Sequence, residues 1–182
     1  MNAACRPDGT GGNLAMRTWT TAGSPDSPTV CTNYDGTCTG WTYELQALKH
    51  YLEHHRGQLR RLVRATAPIA VKKDEAWRRL FRSDAIGFAG DPDTLRVGAP
   101  FEASAVTGER LTGRAVMKSE TAVGVAIDQY NGALLRVMVE RWCGEGNRME
   151  AMVWLSTHDV DRATVETFET QWNKVLSTLS PA

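Results

Sequence analysis

Phe168–Ala182 reads FETQWNKVLSTLSPA. Taken with Val165 just before it, its apolar residues Phe168, Trp172, Val175, Leu176 and Leu179 fall on one stripe of a 3.6-residue helix. A second stretch, Gly40–Glu53, reads GWTYELQALKHYLE. There Trp41, Leu45 and Leu48 repeat the spacing of Trp172, Leu176 and Leu179, and Leu52 extends the row. The two rows are separated by about one ordinary domain length. Many amphipathic helices share this spacing, so what lies between the two rows carries the reading.

That intervening chain reads as strands. LRRLVRATAPIAV alternates, with Val63, Ala65, Ala67, Ile69 and Val71 on one side and Leu62, Arg64 and Thr66 on the other, the pattern of a half-buried strand. KKDEAWRRLFR follows, with Ala76, Trp77, Leu80 and Phe81 on one helical face. A Gly-, Asp- and Pro-containing loop covers about 83–98. Five strand-like segments come next: PFEASAV, ERLTGRAVMK, TAVGVAID, ALLRVMVERW and RMEAMVWLSTHDV. Turn residues separate them at Thr107-Gly108, Lys118-Ser119, Tyr130-Asn131-Gly132 and Gly144–Asn147. Such short connections make neighbouring strands antiparallel. The spacing predicts a final helix over about Val160–Leu179, capped by Asp159 or Asp161. It predicts an earlier helix over about Thr39–His55, with Thr39 as its N-cap and Gly57 as its C-cap. The order implies an α+β domain, a curved antiparallel sheet gripping a long C-terminal helix. Upstream, LAMRTWTTA reads as a strand and SPDSPTVCTNYDGTCT as a turn-rich loop.

The chain has 182 residues, with 21 Lys+Arg against 21 Asp+Glu and a formal net charge of zero. That balance supplies no field to attract nucleic acid or an anionic membrane. No apolar run approaches the roughly 18 residues of a membrane span. The opening MNAACRPDGTGGN has neither a charged nor an apolar leader region, which points to the cytoplasm. Cys5, Cys31, Cys38 and Cys143 fit no zinc or redox spacing and read as free thiols.

The residues from about 59 onward resemble the SRPBCC superfamily, the START-like helix-grip proteins. Within it they are most similar to the group named for activators of the heat-shock-protein-90 ATPase. APIAVKKDEAWRRLF, VGAPFEA, LTGRAV, STHDV and ETQWNKVLSTL carry the resemblance, in that order. The middle loop SDAIGFAGDPDT departs from it, with less tryptophan and aspartate around the second helix than the group often carries. GTCTGWTYELQALKHYLE is similar to the closing helix of the same family. On this reading residues 1–57 are the remnant of an upstream copy and 58–182 are one complete domain. The leftover helix would dock on that domain or bind elsewhere.

No catalytic residue stands out. G-x-S-x-G, Walker A and G-x-G-x-x-G sequences are absent from the chain. His50 and His54 lie one helical turn apart, a spacing that suits zinc or nickel, but no third ligand accompanies them, so neither metal nor cofactor is expected. His158 reads as a cap or surface residue. Glu140 and Glu150 flank a hairpin turn, and a register offset with arginine partners is expected to keep them apart. What remains is apolar. The resemblance implies a cavity between sheet and C-terminal helix. Its lining candidates are Trp77, Phe81, Phe101, Val137, Val139, Val153, Leu155, Phe168, Trp172 and Leu176. Trp154, Met117, Met138, Met149 and Met152 add flexible and aromatic surface, while the face mixing Arg136, Glu140 and Glu150 with Met138 and Trp154 reads as partly wet. The function implied is binding of a small hydrophobic or amphipathic molecule by a non-enzyme. The alternatives are a polyketide cyclase- or aromatase-like enzyme, and a module that modulates a chaperone ATPase. Self-association or a partner protein is expected through the helix at 40–55, and no nucleic-acid or membrane partner.

Overall fold

The computed structural model describes residues 28–141 and 149–179, with side chains described from Gly40 onward and not for Arg141. The strand expected at LAMRTWTTA lies outside the described residues. The elements in chain order are α1 (Pro28–His54), β1 (Arg60–Pro68), α2 (Lys73–Leu80), β2 (Pro100–Ser104), β3 (Arg110–Ser119), β4 (Ala122–Ile127), the single turn α3 (Gln129–Gly132), β5 (Leu134–Arg141), β6 (Met149–His158) and α4 (Arg162–Leu179).

The six strands form one antiparallel sheet in the order β1-β6-β5-β4-β3-β2. The chain runs down one hairpin after another from β2 to β6, and β1 returns to pair with β6. The helix α4 reaches both ends of this order. Asn173 accepts a hydrogen bond from the Thr66 N–H of β1 at 3.4 Å, and the Trp172 indole N–H donates to Glu109, just before β3, at 3.4 Å. The sheet therefore curls around α4, the helix-grip arrangement the resemblance implies. Among the described residues no helix is long and apolar enough to cross a membrane.

Local chemistry explains the elements. In β1 the inward residues Val63, Ala65 and Ala67 are buried, while Arg64, Thr66 and Pro68 are exposed. In α2 Asp74 and Glu75 occupy the first turn and Arg78 and Arg79 the last, matching the helix dipole, and Ala76, Trp77 and Leu80 face the core. Asp161 caps α4, accepting from both the Thr164 N–H (2.9 Å) and its hydroxyl (2.6 Å). These bonds favour the ionised carboxylate and lower its pKa. Asp159, the other candidate, sits at φ 51 and instead accepts from the Leu59 N–H at 2.9 Å.

One correction concerns α1. It begins at Pro28, well before Thr39, so the stretch read as loop is helical from Pro28 onward; proline suits a first helical position because its missing N–H is not needed there. The row Trp41, Leu45, Leu48, Leu52 faces outward, each side chain about half exposed at 55%, 54%, 52% and 49%. The side that packs carries Tyr43 and Ala47, both buried, with His50 half-buried. They cover the sheet face opposite α4. The middle strands β4, β5 and β6 are consequently covered on both sides, with one cluster under α4 and α2 and a second under α1.

Candidate functional site

All ten expected lining residues lie together in the cluster under α4 and α2, and each is at most 4% exposed. Val137 and Val139 of β5 and Val153 and Leu155 of β6 are adjacent by register and face α4. Phe168 and Trp172 come down onto them from α4, with ring centres 5.9 Å apart. Trp77 meets Phe81 edge-on at 4.6 Å, and Phe88 stacks on Phe101 at 5.0 Å. The layer is closed around these side chains.

Its polar corner is Glu109. This half-buried carboxylate accepts from the Trp172 indole N–H and from the Thr107 hydroxyl at 3.1 Å. Burial raises its pKa, and the two hydrogen bonds offset part of that rise. Carboxylates at such margins are suited to holding a cation or a hydrogen-bond donor.

Met138 and Trp154 lie on the opposite face, as expected, and Met117 and Met152 join them there rather than in this lining. All four lie under α1. The face expected to be partly wet is closed at Arg136 and Met138, while Glu140, Glu150 and Trp154 stay partly exposed. Register aligns Gly124, Arg136, Trp154 and Arg64 in one row across β4, β5, β6 and β1. Arg136 is 1% exposed, its guanidinium 4.7 Å from the Tyr43 ring and 5.1 Å from the Trp154 ring. Arg64 covers the same indole at 5.0 Å. Gly124 makes the close fit possible: a Cβ there would meet Met117 at 3.3 Å and Tyr43 at 3.9 Å. The Arg136 Nε and Nη2 have no hydrogen-bond partner, and Glu140 is its nearest counter-charge at 3.7 Å. Burial lowers the Arg136 pKa and raises those of Glu140 and Tyr43. Glu140 also lies directly opposite Glu150 in the ladder, so the expected register offset does not occur. Arg136 and Lys73 hold the Glu140 charge in its place.

A histidine cluster closes the end of this face. His158 is buried rather than capping or surface-placed, and stacks on His55 with ring centres 4.2 Å apart and planes 9° from parallel. His50 and His55 both hydrogen-bond the Gly132 carbonyl, at 2.7 and 3.2 Å. Neither His158 ring nitrogen has a partner; burial first, then the neighbouring His55, His50 and Arg60, push its pKa down to about 4. Among the described residues no three His, Cys, Asp or Glu side chains are grouped to hold a metal.

Two surface grooves lie among the described residues. One, of about 330 Å³, is lined by Asp74, Trp77, Arg78, Asp93, Lys118, Glu120 and Thr121. Here the Lys118 ammonium lies 5.1 Å from the Trp77 ring, and burial lowers its pKa. The other, of about 430 Å³, runs beside α1 between Trp41, Leu45, Leu48 and Tyr51 on one side and Gln58 and Arg60 on the other.

Sequence reasoning missed Glu109, the Tyr43–Arg136–Trp154 stack and the buried His158. Arg136 left one signal, a lone charge inside the otherwise apolar run ALLRVMV. Glu109 left none, since only the curl of the sheet brings it to Trp172.

No family model and no curated protein matches the chain. Solved structures similar to it include the Mesorhizobium loti protein MLL2253, at 15% identity and TM-score 0.48 over 65% of this chain and 96% of that one. DynU16, a protein of the dynemicin biosynthetic locus, is similar at 12% identity and TM-score 0.47 over 66% of this chain and 48% of its own. CalU16 from Micromonospora echinospora is similar at 16% identity and TM-score 0.43, covering 69% and 83%.

Proposed function

We propose that the protein binds a small amphipathic molecule between the inner face of the sheet and α4. The apolar body would lie against Val137, Val153, Leu155 and Phe101, with a donor or cationic end held by Glu109. One observation carries this reading. The layer is apolar throughout, and at its margin a half-buried carboxylate accepts one bond from the neighbouring Thr107 hydroxyl at 3.1 Å and a long, 3.4 Å bond from the tryptophan that closes it. Apolar sites with one well-placed polar group are the usual form of small-molecule pockets. Because the layer is closed, binding parts α4 from the sheet, and Trp172 is the side chain that swings.

The test compares decylamine with decanoate, both below micelle formation, in thermal unfolding. The amine is expected to raise the melting temperature by a few degrees and to change the Trp172 emission. Decanoate is expected to do much less, and Glu109→Gln to remove the preference. If neither compound nor the neutral dye Nile red binds, the reading fails. The resemblance implies two alternatives. A cyclase-like activity would use the same layer under α4, and modulation of a chaperone ATPase would use the exposed row of α1.

A further inference from the structure

The row Trp41, Leu45, Leu48, Leu52 is spaced four, three and four residues apart. This is the seven-residue repeat of a two-helix seam, in which two positions per heptad face a partner helix. All four side chains are about half exposed, and they lie on the side of α1 opposite Tyr43, Ala47 and His50. The helix thus has two apolar faces, one used by its own sheet and one unused. Four large apolar side chains in one exposed row exceed the scattered singles of an ordinary surface. In the same register the sequence places Cys38, Tyr34 and Cys31 upstream, all within the span of α1. A helix of 27 residues is about 40 Å long. The groove of about 430 Å³ beside the row leaves room for the side chains of another helix.

The residues flanking the row say which helix. Glu44 lies just before Leu45, and Lys49 just after Leu48. Five residues apart on opposite flanks of the seam, they occupy the positions that pair across two parallel helices in register. An identical helix therefore meets Glu44 with Lys49 and Lys49 with Glu44. The zero net charge adds no repulsion between copies. We propose that the protein forms a parallel homodimer through α1, with Trp41, Leu45, Leu48 and Leu52 of each copy along the seam. Within one copy Glu44 pairs with Arg60 at 3.2 Å and Lys49 with Glu53 at 3.9 Å. Both pairs are solvent-exposed and therefore weak enough to be exchanged.

Sedimentation equilibrium on the full chain, from about 1 to 300 µM, tests this against typical protein affinities. A dimer is expected, with Leu45→Glu weakening it at least tenfold while far-UV circular dichroism stays unchanged. Lys49→Glu and Glu44→Lys supply a second test on exposed positions. Each alone should weaken the dimer, and an equimolar mixture should restore it as a heterodimer. A monomer throughout the range overturns the proposal and leaves the row to an upstream segment or a different protein. A dimer insensitive to Leu45→Glu, or charge variants that do not rescue one another, overturns it equally.

Discussion

The Arg136 guanidinium sits 4.7 Å from the Tyr43 ring, so a charge from the middle of the sheet is covered by a side chain from the helix that precedes it. This contact joins α1 to the domain. Tyr43 is fully buried, whereas Trp41, two residues earlier, is 55% exposed. Tyr43→Ala should cost about 3–4 kcal/mol, the range for emptying a large aromatic site. Trp41→Ala should change monomer stability by no more than about 0.5 kcal/mol. Urea unfolding at low micromolar concentration distinguishes them, and equal costs would refute the assigned facing of α1.

Arg136 is a buried cation whose main compensation is Glu140. Glu140→Gln should therefore cost about 1–3 kcal/mol, because it leaves the charge uncompensated. Arg136→Met combined with Glu140→Gln should return to within about 1 kcal/mol of the parent, since a well-packed apolar side chain can replace a buried pair. Equilibrium unfolding of the single and double variants measures both.

His158 gives the fold a defined acid sensitivity. Its pKa falls from 6.5 to about 4 on folding, so the unfolded chain binds the proton more readily. Its contribution to stability is complete above pH 6.5 and is lost as the pH falls from there to about 4. The loss should reach on the order of 1–3 kcal/mol. His50, also lowered by burial, adds in the same direction, while Arg60 and Asp159 are the fixed charges nearby. His158→Phe keeps the stack on His55 and should flatten the decline in melting temperature between pH 7 and 4.5. An unchanged slope would place the sensitivity elsewhere.

Gly87 anchors the loop after α2. It holds φ +64, and a Cβ there would lie 2.1 Å from the Ser104 carbonyl oxygen. Gly108, at φ +88, has open space. Gly108→Ala should cost about 1 kcal/mol from backbone strain alone. Gly87→Ala should cost clearly more, since the β2 backbone must move as well. Thermal melts of the two variants give the comparison.

The strands and α4 were legible because their periodicity is local: Val63, Ala65 and Ala67 declare a face, and Val165, Phe168, Trp172 and Leu176 declare another. The apolar grouping under α4 was legible for the same reason. The role of α1 was not. Its clearest stripe, Trp41-Leu45-Leu48-Leu52, points away from the sheet, while Tyr43 and Ala47 make the contact with fewer apolar positions. The face holding Arg136 looked wet because a charge in a strand ordinarily seeks water. Here aromatic rings from α1 and β6 take water's place, and neither ring is near Arg136 in sequence. Glu109 and the stacked His55–His158 pair depend on long-range closure for the same reason.

Because β4, β5 and β6 are covered on both sides, the usual freedom of a sheet's outer residues is missing from the middle of this one. Drift in the sequence would have to run through the 82–99 loop, the hairpin tips and the water-facing flank of α4. The central strands would change only in concerted steps, a replacement above the sheet needing its counterpart below.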